Sequence, residues 1–476
     1  MVISLLRWIV KPVFGSFEEE EFKKFTRMGL VFTTLIGSYW TMRTLKKSIF
    51  TIMCSYFDAA GVAQQGAYLE PYAKTVSLLV LIPVVAFYSK LVERFKHERM
   101  FYVLSTIYAA LNVFFALCLI SPWGEASPEI VAARTGFAAI MTKVIAFSWY
   151  VFVESYGSLM IALFWAIAAS VTLPDSAKKG FPMVVAIGQL GGIFGPQYIT
   201  KLPQWLGQET AATSLLLCGL FTFSAVLLLT YFFKATPKEL LVSFHGKNEK
   251  AEEEKQEPGF FEGLQLMLKH KYLIGMFFIP FFFEFIVTIF DLHFNYVASL
   301  TYKGHEYKQF IASYGSWVNT VALLCLLLGV SNIPRRLGVV VSLMVLPVII
   351  AAAITGFITI SHLNFLFWLM VGSKAINYAL NGPTMKLLYI PTTEDVRFKS
   401  QAWIETFGSR ASKEGGSIFN MLLGPLVNRY GAVAGRATHA LWSAYLGYGF
   451  VVVWLFLAVF LGRTYQKAVD KKRVVC

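Results

Sequence analysis

Long apolar stretches, separated by short polar segments, run through almost the whole chain. Most are about 20 residues long, the length at which a helix spans the hydrocarbon core of a bilayer. The pattern predicts an all-α integral membrane protein with twelve transmembrane helices, at residues 28–56, 72–91, 100–120, 145–172, 181–200, 212–233, 273–299, 312–331, 338–360, 364–390, 401–426 and 437–462.

A single long hydrophilic stretch divides these helices into six plus six, as in major-facilitator-like transporters. The predicted organisation is a cytoplasmic amphipathic segment (1–27), an N-terminal six-helix bundle (28–233), a cytoplasmic linker (234–272), a C-terminal six-helix bundle (273–462) and a basic cytoplasmic tail (463–476).

Composition agrees with a membrane protein and changes how the charge is interpreted. The 476 residues are 56% hydrophobic and 15% charged, and the formal net charge is +14. Most of the 42 lysine and arginine residues fall in segments that the positive-inside rule assigns to one side. We therefore expect a multi-pass protein of a bacterial inner membrane, with both termini cytoplasmic, the lipid bilayer around it and no nucleic-acid partner.

Other cationic residues lie inside the apolar stretches. The segment 39–50, YWTMRTLKKSIF, carries three of them and no acidic residue. A charge at the centre of a transmembrane helix costs roughly 2.5–3.5 kcal/mol on insertion scales, so it is expected to face a wet cavity or a partner. Lys74 and Lys143 lie near span ends and are expected to snorkel to the interface. The remaining cations are on spans 1, 10 and 11: Arg43, Lys46, Lys47, Lys374, Lys386, Arg410 and Lys413.

Ionisable residues fall on spans 1, 4, 7 and 10, the helices that line the central cavity of six-plus-six transporters built from inverted repeats. Glu154 on span 4 and Asp291 on span 7 are the acids expected there, and Lys374 on span 10 is expected to share their role in charge pairing and coupling. Because cations outnumber acids, the pathway is predicted to carry uncompensated positive charge. Two glycine pairs, at 191–192 and 415–416, are predicted to allow close helix packing.

A cationic pathway favours a multiply charged anion, and phosphates suit both lysine and arginine. The predicted phosphate-binding residues are Arg43, Lys46, Lys47, Lys386, Arg410 and Lys413. Aromatic residues on the same spans are candidates for stacking on a base: Tyr39, Trp149, Tyr156 and Tyr378. These residues predict a transporter of a phosphate-bearing anion.

Enzyme motifs do not appear in the sequence. It has no glycine-rich phosphate loop followed by Lys and Ser or Thr, and neither cysteines nor histidines show metal-ligand spacing. We expect a protein that is not an enzyme, that needs no cofactor or metal, and that works as a monomer.

Several motifs resemble those of the nucleotide transporters, or ATP/ADP translocases, of obligate intracellular bacteria and plastids. On span 1, RTLKK matches that family's Arg-Asp-Thr-Lys-Asp and puts its lysine at Lys46. On span 4, ESYGSLMIALFW puts the family glutamate at Glu154, and on span 7 IVTIFDLHF supplies Asp291. The family pattern of spans 10 and 11 is matched here by NYALNGPTMKLLYIP and then by SKEGGS. This match puts the family's second functional lysine at Lys413.

The chain also departs from the family pattern, always toward positive charge. Thr44 and Lys47 replace the two acids of span 1. On span 10 the acid–proline pair becomes Gly382–Pro383, and the Lys-Glu pair after the threonine becomes Met385–Lys386. The resemblance implies nucleotide exchange of the ATP/ADP type by alternating access. A proton-coupled nucleotide symporter and an NAD/ADP exchanger remain alternatives. A third is a lipid-handling or non-transporting membrane protein on the same scaffold.

Overall fold

The computed structural model describes residues 7, 11, 13–58, 60–94, 97–172, 174–208, 210–241, 265, 267–330, 333–360, 362–389, 391–392, 404, 408–471 and 475. This part of the chain is helical almost throughout. Its helices are α1 (Glu19–Met53), α2 (Glu70–Arg94), α3 (His97–Ile120), α4 (Pro128–Ala132), α5 (Gly136–Ser170), α6 (Pro174–Phe194), α7 (Leu202–Trp205), α8 (Ala212–Ala235), α9 (Lys271–Thr301), α10 (Gly304–Leu327), α11 (Ile333–Thr359), α12 (Leu363–Ile376), α13 (Gly382–Leu388), α14 (Ser409–Met421), α15 (Leu423–Tyr430) and α16 (Ala432–Asp470).

Short non-α segments connect some of these helices. Between α1 and α2 a small antiparallel hairpin pairs β1 (Tyr56–Phe57) with β2 (Ala63–Gln64), with Tyr56 opposite Gln64. A π-helical segment, Asn377–Asn381, joins α12 to α13 within predicted span 10. Single π turns widen a helix locally and often lie at functional sites. Gly338, with φ at 85°, kinks α11 near its start.

Seven helices in the described part of the chain are long and apolar enough to cross a membrane. They include α3, α5, α8 and α16. The helical, multi-pass character predicted from the sequence is therefore confirmed, whereas the number twelve stays a prediction. Several helices extend beyond the predicted spans because the apolar run is shorter than the helix that carries it; α16, for example, covers 39 residues.

The helix that carries predicted span 1 starts before residue 28, because α1 begins at Glu19 and runs without a break to Met53. Its first turns are built into the bundle. Lys24 is 3% exposed and donates from Nζ to the carbonyl oxygens of Val171 (2.6 Å) and Leu240 (2.8 Å). Carbonyl groups at helix C-termini attract cations, so a lysine here holds the helix ends together. Residues 19–27 are thus continuous with the first helix, whereas the boundary of the amphipathic segment stays a prediction.

The described chain forms two compact units. The first comprises Met1–Lys247 and also Ala298–Thr320, and the second comprises Asn248–Val297 and Val321–Cys476. In the first unit α1 packs against α5, α6 and α8 around a core that includes Phe50, Trp149 and Phe164. In the second unit α11 packs against α16. Residues 298–320, which follow the linker in sequence, therefore complete the packing of the first unit.

Polar contacts fix this late segment in the first unit. Lys308 forms an ion pair with Glu125 at 2.7 Å, and both side chains are at most 3% exposed. Glu125 also accepts from the backbone N–H of Ala211 at 2.7 Å. Gln65 donates to the carbonyl oxygens of Ser299 and Tyr302. The sequence interpretation placed Lys308 in a loop, but α10 begins at Gly304 and carries this lysine into the bundle.

The two predicted glycine pairs lie at close helix contacts, as expected. A methyl group on Gly191 would come within 2.8 Å of the backbone N of Gly37 on α1. A methyl group on Gly416 would come within 2.9 Å of the Phe285 carbonyl oxygen on α9. Each pair therefore lets a helix approach the first long helix of its own unit, as small residues do in membrane bundles.

The buried Glu125–Lys308 pair provides a stability prediction. Lys308→Met leaves a buried carboxylate without its counter-ion, so we expect the free energy of unfolding to fall by about 3–5 kcal/mol. Thermal unfolding in detergent measures the change. The matched control Lys303→Met should alter stability far less, because Lys303 donates to the Ala63 carbonyl oxygen at a long 3.4 Å and, among the described residues, leaves no buried carboxylate 2.7 Å away, as Lys308 does. The double variant Glu125→Gln/Lys308→Met should recover part of the loss; no recovery would contradict this account.

Candidate functional site

Lys46 lies at the centre of the charged cluster in the first unit. α1 carries it into the bundle, where its side chain is 5% exposed and its Nζ donates to Oε1 of Glu154 on α5. The same Nζ lies 4.1 Å from the centroid of the Tyr150 ring. The carboxylate and the ring face both stabilise a cation taken out of water. Glu154 is 41% exposed, so its carboxylate reaches solvent while its lysine does not.

Glu70 connects a second set of cations to this pair. It is the first residue of α2, and its side chain is 1% exposed. Lys47 Nζ lies 3.8 Å and Lys74 Nζ 3.3 Å from Oε1 of Glu70, and the Tyr150 hydroxyl donates to the same oxygen at 3.3 Å. One buried carboxylate thus receives two lysines and a phenol. The sequence predicts that Lys74 extends to the membrane interface, but in the structure its ammonium group pairs with Glu70 in this cluster.

Sequence reasoning missed Glu70 because it lies just before the predicted start of span 2. The signal was present in LEPYAK: an acid precedes a proline at a helix start, and a lysine follows four residues later. Such an acid and lysine face each other along a helix, with the acid at the favourable N-terminal end.

The predicted aromatic residues divide into two groups. Arg43 lies 4.7 Å from the ring centroid of Trp40 and 5.8 Å from that of Tyr39, and both rings are half-buried. Trp149 and Tyr156 are fully buried in the core of the first unit. The interpretation of these two as base-stacking residues therefore needs correction: core side chains occupy their surroundings, and neither offers a ring face to a ligand in this arrangement.

The packing of these two rings explains their burial. Trp149 packs against Phe115 and Phe152, with ring centroids 5.5 and 5.6 Å away. The Tyr156 hydroxyl forms a hydrogen bond with Thr222 at 3.2 Å. Both residues hold α5 against its neighbours, because large aromatic side chains contribute most to a core when they are completely enclosed.

The second unit contains two ion pairs of its own. Lys374 on α12 lies 3.2 Å from Oδ1 of Asp291 on α9, and both side chains are mostly buried, at 13% and 8% exposed. Lys413 on α14 lies 3.7 Å from Oε2 of Glu284 and is 47% exposed. A longer, more exposed pair contributes less to stability than a buried one. Lys413 is thus the more accessible cation of the two.

The remaining predicted residues of this unit have separate positions. Arg410 is half-buried near the start of α14, and Tyr378 is 40% exposed on the π-helical segment. Lys386 belongs to α13, but its side chain lies outside the described part of the chain. The structure thus brings Lys46 and Lys47 together with Glu154 and Glu70, whereas the phosphate-binding and coupling roles of all these residues stay predictions.

The ion pairs bear on one expectation about charge. The sequence predicts that Glu154 and Asp291 pair with cations of the pathway, and that cations there outnumber acids. In the structure Lys46, Lys47, Lys374 and Lys413 each have a carboxylate from another helix within 4 Å. The compensating residues are far away in sequence, 108 residues in the case of Lys46.

The pairs follow the same helix positions in both units, with the charges reversed. In the first unit the cation is on the first long helix and the acid on predicted span 4. In the second unit the acid, Asp291, is on the first long helix and the cation, Lys374, on predicted span 10. Each unit thus connects its first long helix to its fourth by an ion pair.

Solved structures identify the fold. A bacterial homologue of the iron transporter ferroportin, in an inward-facing state, matches with a TM-score of 0.59 at 10% identity, covering 92% of this chain and 98% of that one. A POT family transporter in complex with 5-aminolevulinic acid matches with a TM-score of 0.60 at 11% identity, covering 92% and 96%. The fold is that of membrane transporters.

Sequence comparison identifies the family to which the chain belongs within this class of membrane transporters. Residues 7–465 match the model of the TLC ATP/ADP transporter family, and the chain belongs to that family. ADP,ATP carrier protein 1 of Rickettsia typhi is 24% identical over 518 residues, covering 98% of each chain. ADP,ATP carrier protein 1 of Chlamydia muridarum is 23% identical over 495 residues, covering 94% of this chain and 89% of its own.

The different exposure of the two carboxylates predicts different stability effects. Lys374→Met leaves Asp291 at 8% exposure without its lysine, so we expect a loss of about 3 kcal/mol in the free energy of unfolding. Lys46→Met leaves Glu154 hydrated at 41% exposure and should cost much less. Thermal unfolding of both variants in the same detergent tests this order. A loss for Lys46→Met that equals or exceeds the loss for Lys374→Met would contradict the argument from exposure.

Proposed function

We propose that this protein is a secondary active transporter that carries nucleotides across a membrane, most simply by ATP/ADP-type exchange with alternating access. The match to the TLC ATP/ADP transporter family over residues 7–465 carries this proposal. The ADP,ATP carriers of Rickettsia and Chlamydia support exchange as the mode of transport. We further propose twelve transmembrane helices, a monomeric state, a bacterial inner membrane and cytoplasmic termini.

The chemistry of the first unit supports phosphate as the group that is bound there. Arg43, Lys46 and Lys47 lie within five residues of one another on α1. Phosphate oxygens accept charge-assisted hydrogen bonds from lysine and arginine, which are stronger than neutral ones. When Lys46 turns from Glu154 to a phosphate, the carboxylate it leaves is half-exposed and can be hydrated. Lys46 can therefore change partners at little cost to the fold.

The second unit supports a matching role for Lys413, with Lys386 and Arg410 as further candidates. Lys413 is the more exposed member of a long ion pair, so an incoming phosphate competes with Glu284 on favourable terms. Asp291 and Lys374 form a more buried pair. We assign that pair to charge pairing and coupling and not to substrate contact. Both side chains are buried, so if the pair broke, neither charge would gain water in place of its partner.

The ion pairs also favour a second candidate, net uptake coupled to protons. An empty carrier with unpaired cations would resist the passage through an occluded state, since a buried unpaired ion loses several kcal/mol of hydration. Carboxylates that neutralise Lys46, Lys47, Lys374 and Lys413 lower this barrier, so they weaken the electrostatic reason for strict exchange. Glu154, half-exposed, is the carboxylate best placed to take up a proton.

Removal of the Lys46 charge tests the phosphate role. We expect Lys46→Met to lower nucleotide uptake in proteoliposomes about 10- to 100-fold, the loss expected for one hydrogen bond between charged groups. Lys23→Met is a suitable control on the same helix, because Lys23 pairs only with surface acids in the described structure. Uptake by Lys46→Met that equals the control, with unchanged folding, would contradict a phosphate contact.

Uptake into liposomes separates exchange from symport. For an exchanger, uptake of labelled nucleotide requires nucleotide inside the liposome and changes little when a proton ionophore is added. Uptake into empty liposomes that the ionophore abolishes would instead support the proton-coupled alternative. Competition with unlabelled NAD tests the NAD/ADP alternative. No uptake of any nucleotide, together with no thermal stabilisation by nucleotides, would favour a lipid-handling or non-transporting protein.

A further inference from the structure

The cluster around Glu70 contains one cation more than its own carboxylate requires. Lys47 approaches Glu70 from α1, whereas Lys74 approaches it from the next turn of α2, the helix to which Glu70 itself belongs. The Glu70–Lys74 pair lies within one helix, so it does not depend on how α1 and α2 are placed relative to each other. The pair between helices is longer, 3.8 Å against 3.3 Å, and depends on how those helices pack.

Glu70 tolerates the loss of one lysine for two reasons. It is the first residue of α2, where the partial positive charge of the helix N-terminus favours a carboxylate. An acid four residues before a lysine is also the favourable order for an ion pair along a helix. A buried carboxylate with no cation at all is costly, but Glu70 keeps Lys74 when Lys47 moves away.

Resting on the proposed nucleotide transport, we infer that Glu70 competes with the nucleotide phosphates for Lys47, and that Lys74 is a positioning residue that weakens this competition by sharing the Glu70 charge. Glu70 holds the Lys47 ammonium next to Lys46 while the site is empty. When a phosphate arrives, Lys47 transfers to it, and Lys74 keeps the Glu70 charge neutralised. Neither Lys74 nor Glu70 touches the substrate in this arrangement. Lys74 therefore acts on affinity through Lys47 alone.

Tyr150 connects this cluster to Lys46. Its hydroxyl donates to Glu70, and its ring face lies against the Lys46 ammonium. Glu70 thus orients both the Tyr150 ring, which lies against Lys46, and the ammonium group of Lys47. A Gln at position 70 keeps an oxygen that can accept from Tyr150 but loses the charge that restrains Lys47. The variant Glu70→Gln therefore separates the two effects.

Kinetics of nucleotide exchange in proteoliposomes test the inference. In Lys74→Gln, Glu70 depends more on Lys47, so we expect the KM for nucleotide to rise about tenfold while kcat changes less. Lys74→Arg keeps the charge and should stay near the wild type. The decisive variant is Glu70→Gln/Lys74→Gln, in which the Glu70 charge no longer competes for Lys47 and KM returns toward the wild-type value.

The outcomes separate this inference from the proposed function. If the wild type exchanges no nucleotide, the proposed function fails and the inference with it. If the wild type exchanges nucleotide but Lys74→Gln has an unchanged KM, or the double variant stays as weak as Lys74→Gln, only the inference is overturned. A purely structural bond would lower the unfolding temperature without this rescue. Should Lys74→Gln fail to fold, Glu70→Gln alone decides: its KM should equal or fall below that of the wild type, and a higher KM contradicts the inference.

Discussion

The arrangement of helices in this protein depends on one electrostatic constraint: a cation inside the bundle needs a carboxylate, and a different helix supplies it. Lys46 receives Glu154 across α1 and α5, and Lys374 receives Asp291 across α12 and α9. Because each buried ion is costly without its partner, such pairs fix which helices lie side by side and in what register. In the proposed mode of transport, an anionic substrate approaches the same groups that hold each bundle together, so stability and binding draw on the same side chains.

The sequence predicts much of the fold and only part of the site. Hydrophobic length alone locates the helices, since a bilayer requires about 20 apolar residues whatever their order. It misplaces helix ends, because α1 continues into polar residues that bury Lys24 against backbone carbonyls. Periodicity also cannot tell a ring that faces a cavity from one that faces the core, and Trp149 and Tyr156 belong to the core. Residue type identifies charges at membrane depth, but the fold decides their partners, as the distance in sequence between Lys46 and Glu154 illustrates.

The reversed charges of the two units have a physical meaning of their own. An anion that attracts Lys46 releases a carboxylate on the fourth helix of the first unit, whereas one that attracts Lys374 would release a carboxylate on the first helix of the second. The exposure of Glu154 and the burial of Asp291 make the first exchange of partners far easier than the second. Two halves with the same helix plan therefore differ in how readily each gives up a cation.

The assignment of Ala298–Thr320 to the first unit has a consequence for biosynthesis. The ribosome completes residues 1–247 well before it makes Lys308, at the usual rate of about 5–20 residues per second. During that interval Glu125 lacks the lysine with which it pairs in the finished protein, and Gln65 lacks the carbonyl oxygens of Ser299 and Tyr302. The first unit is thus complete only after residues 298–320 have been made, which follow the opening segment of the second unit, Asn248–Val297, and precede the rest of it.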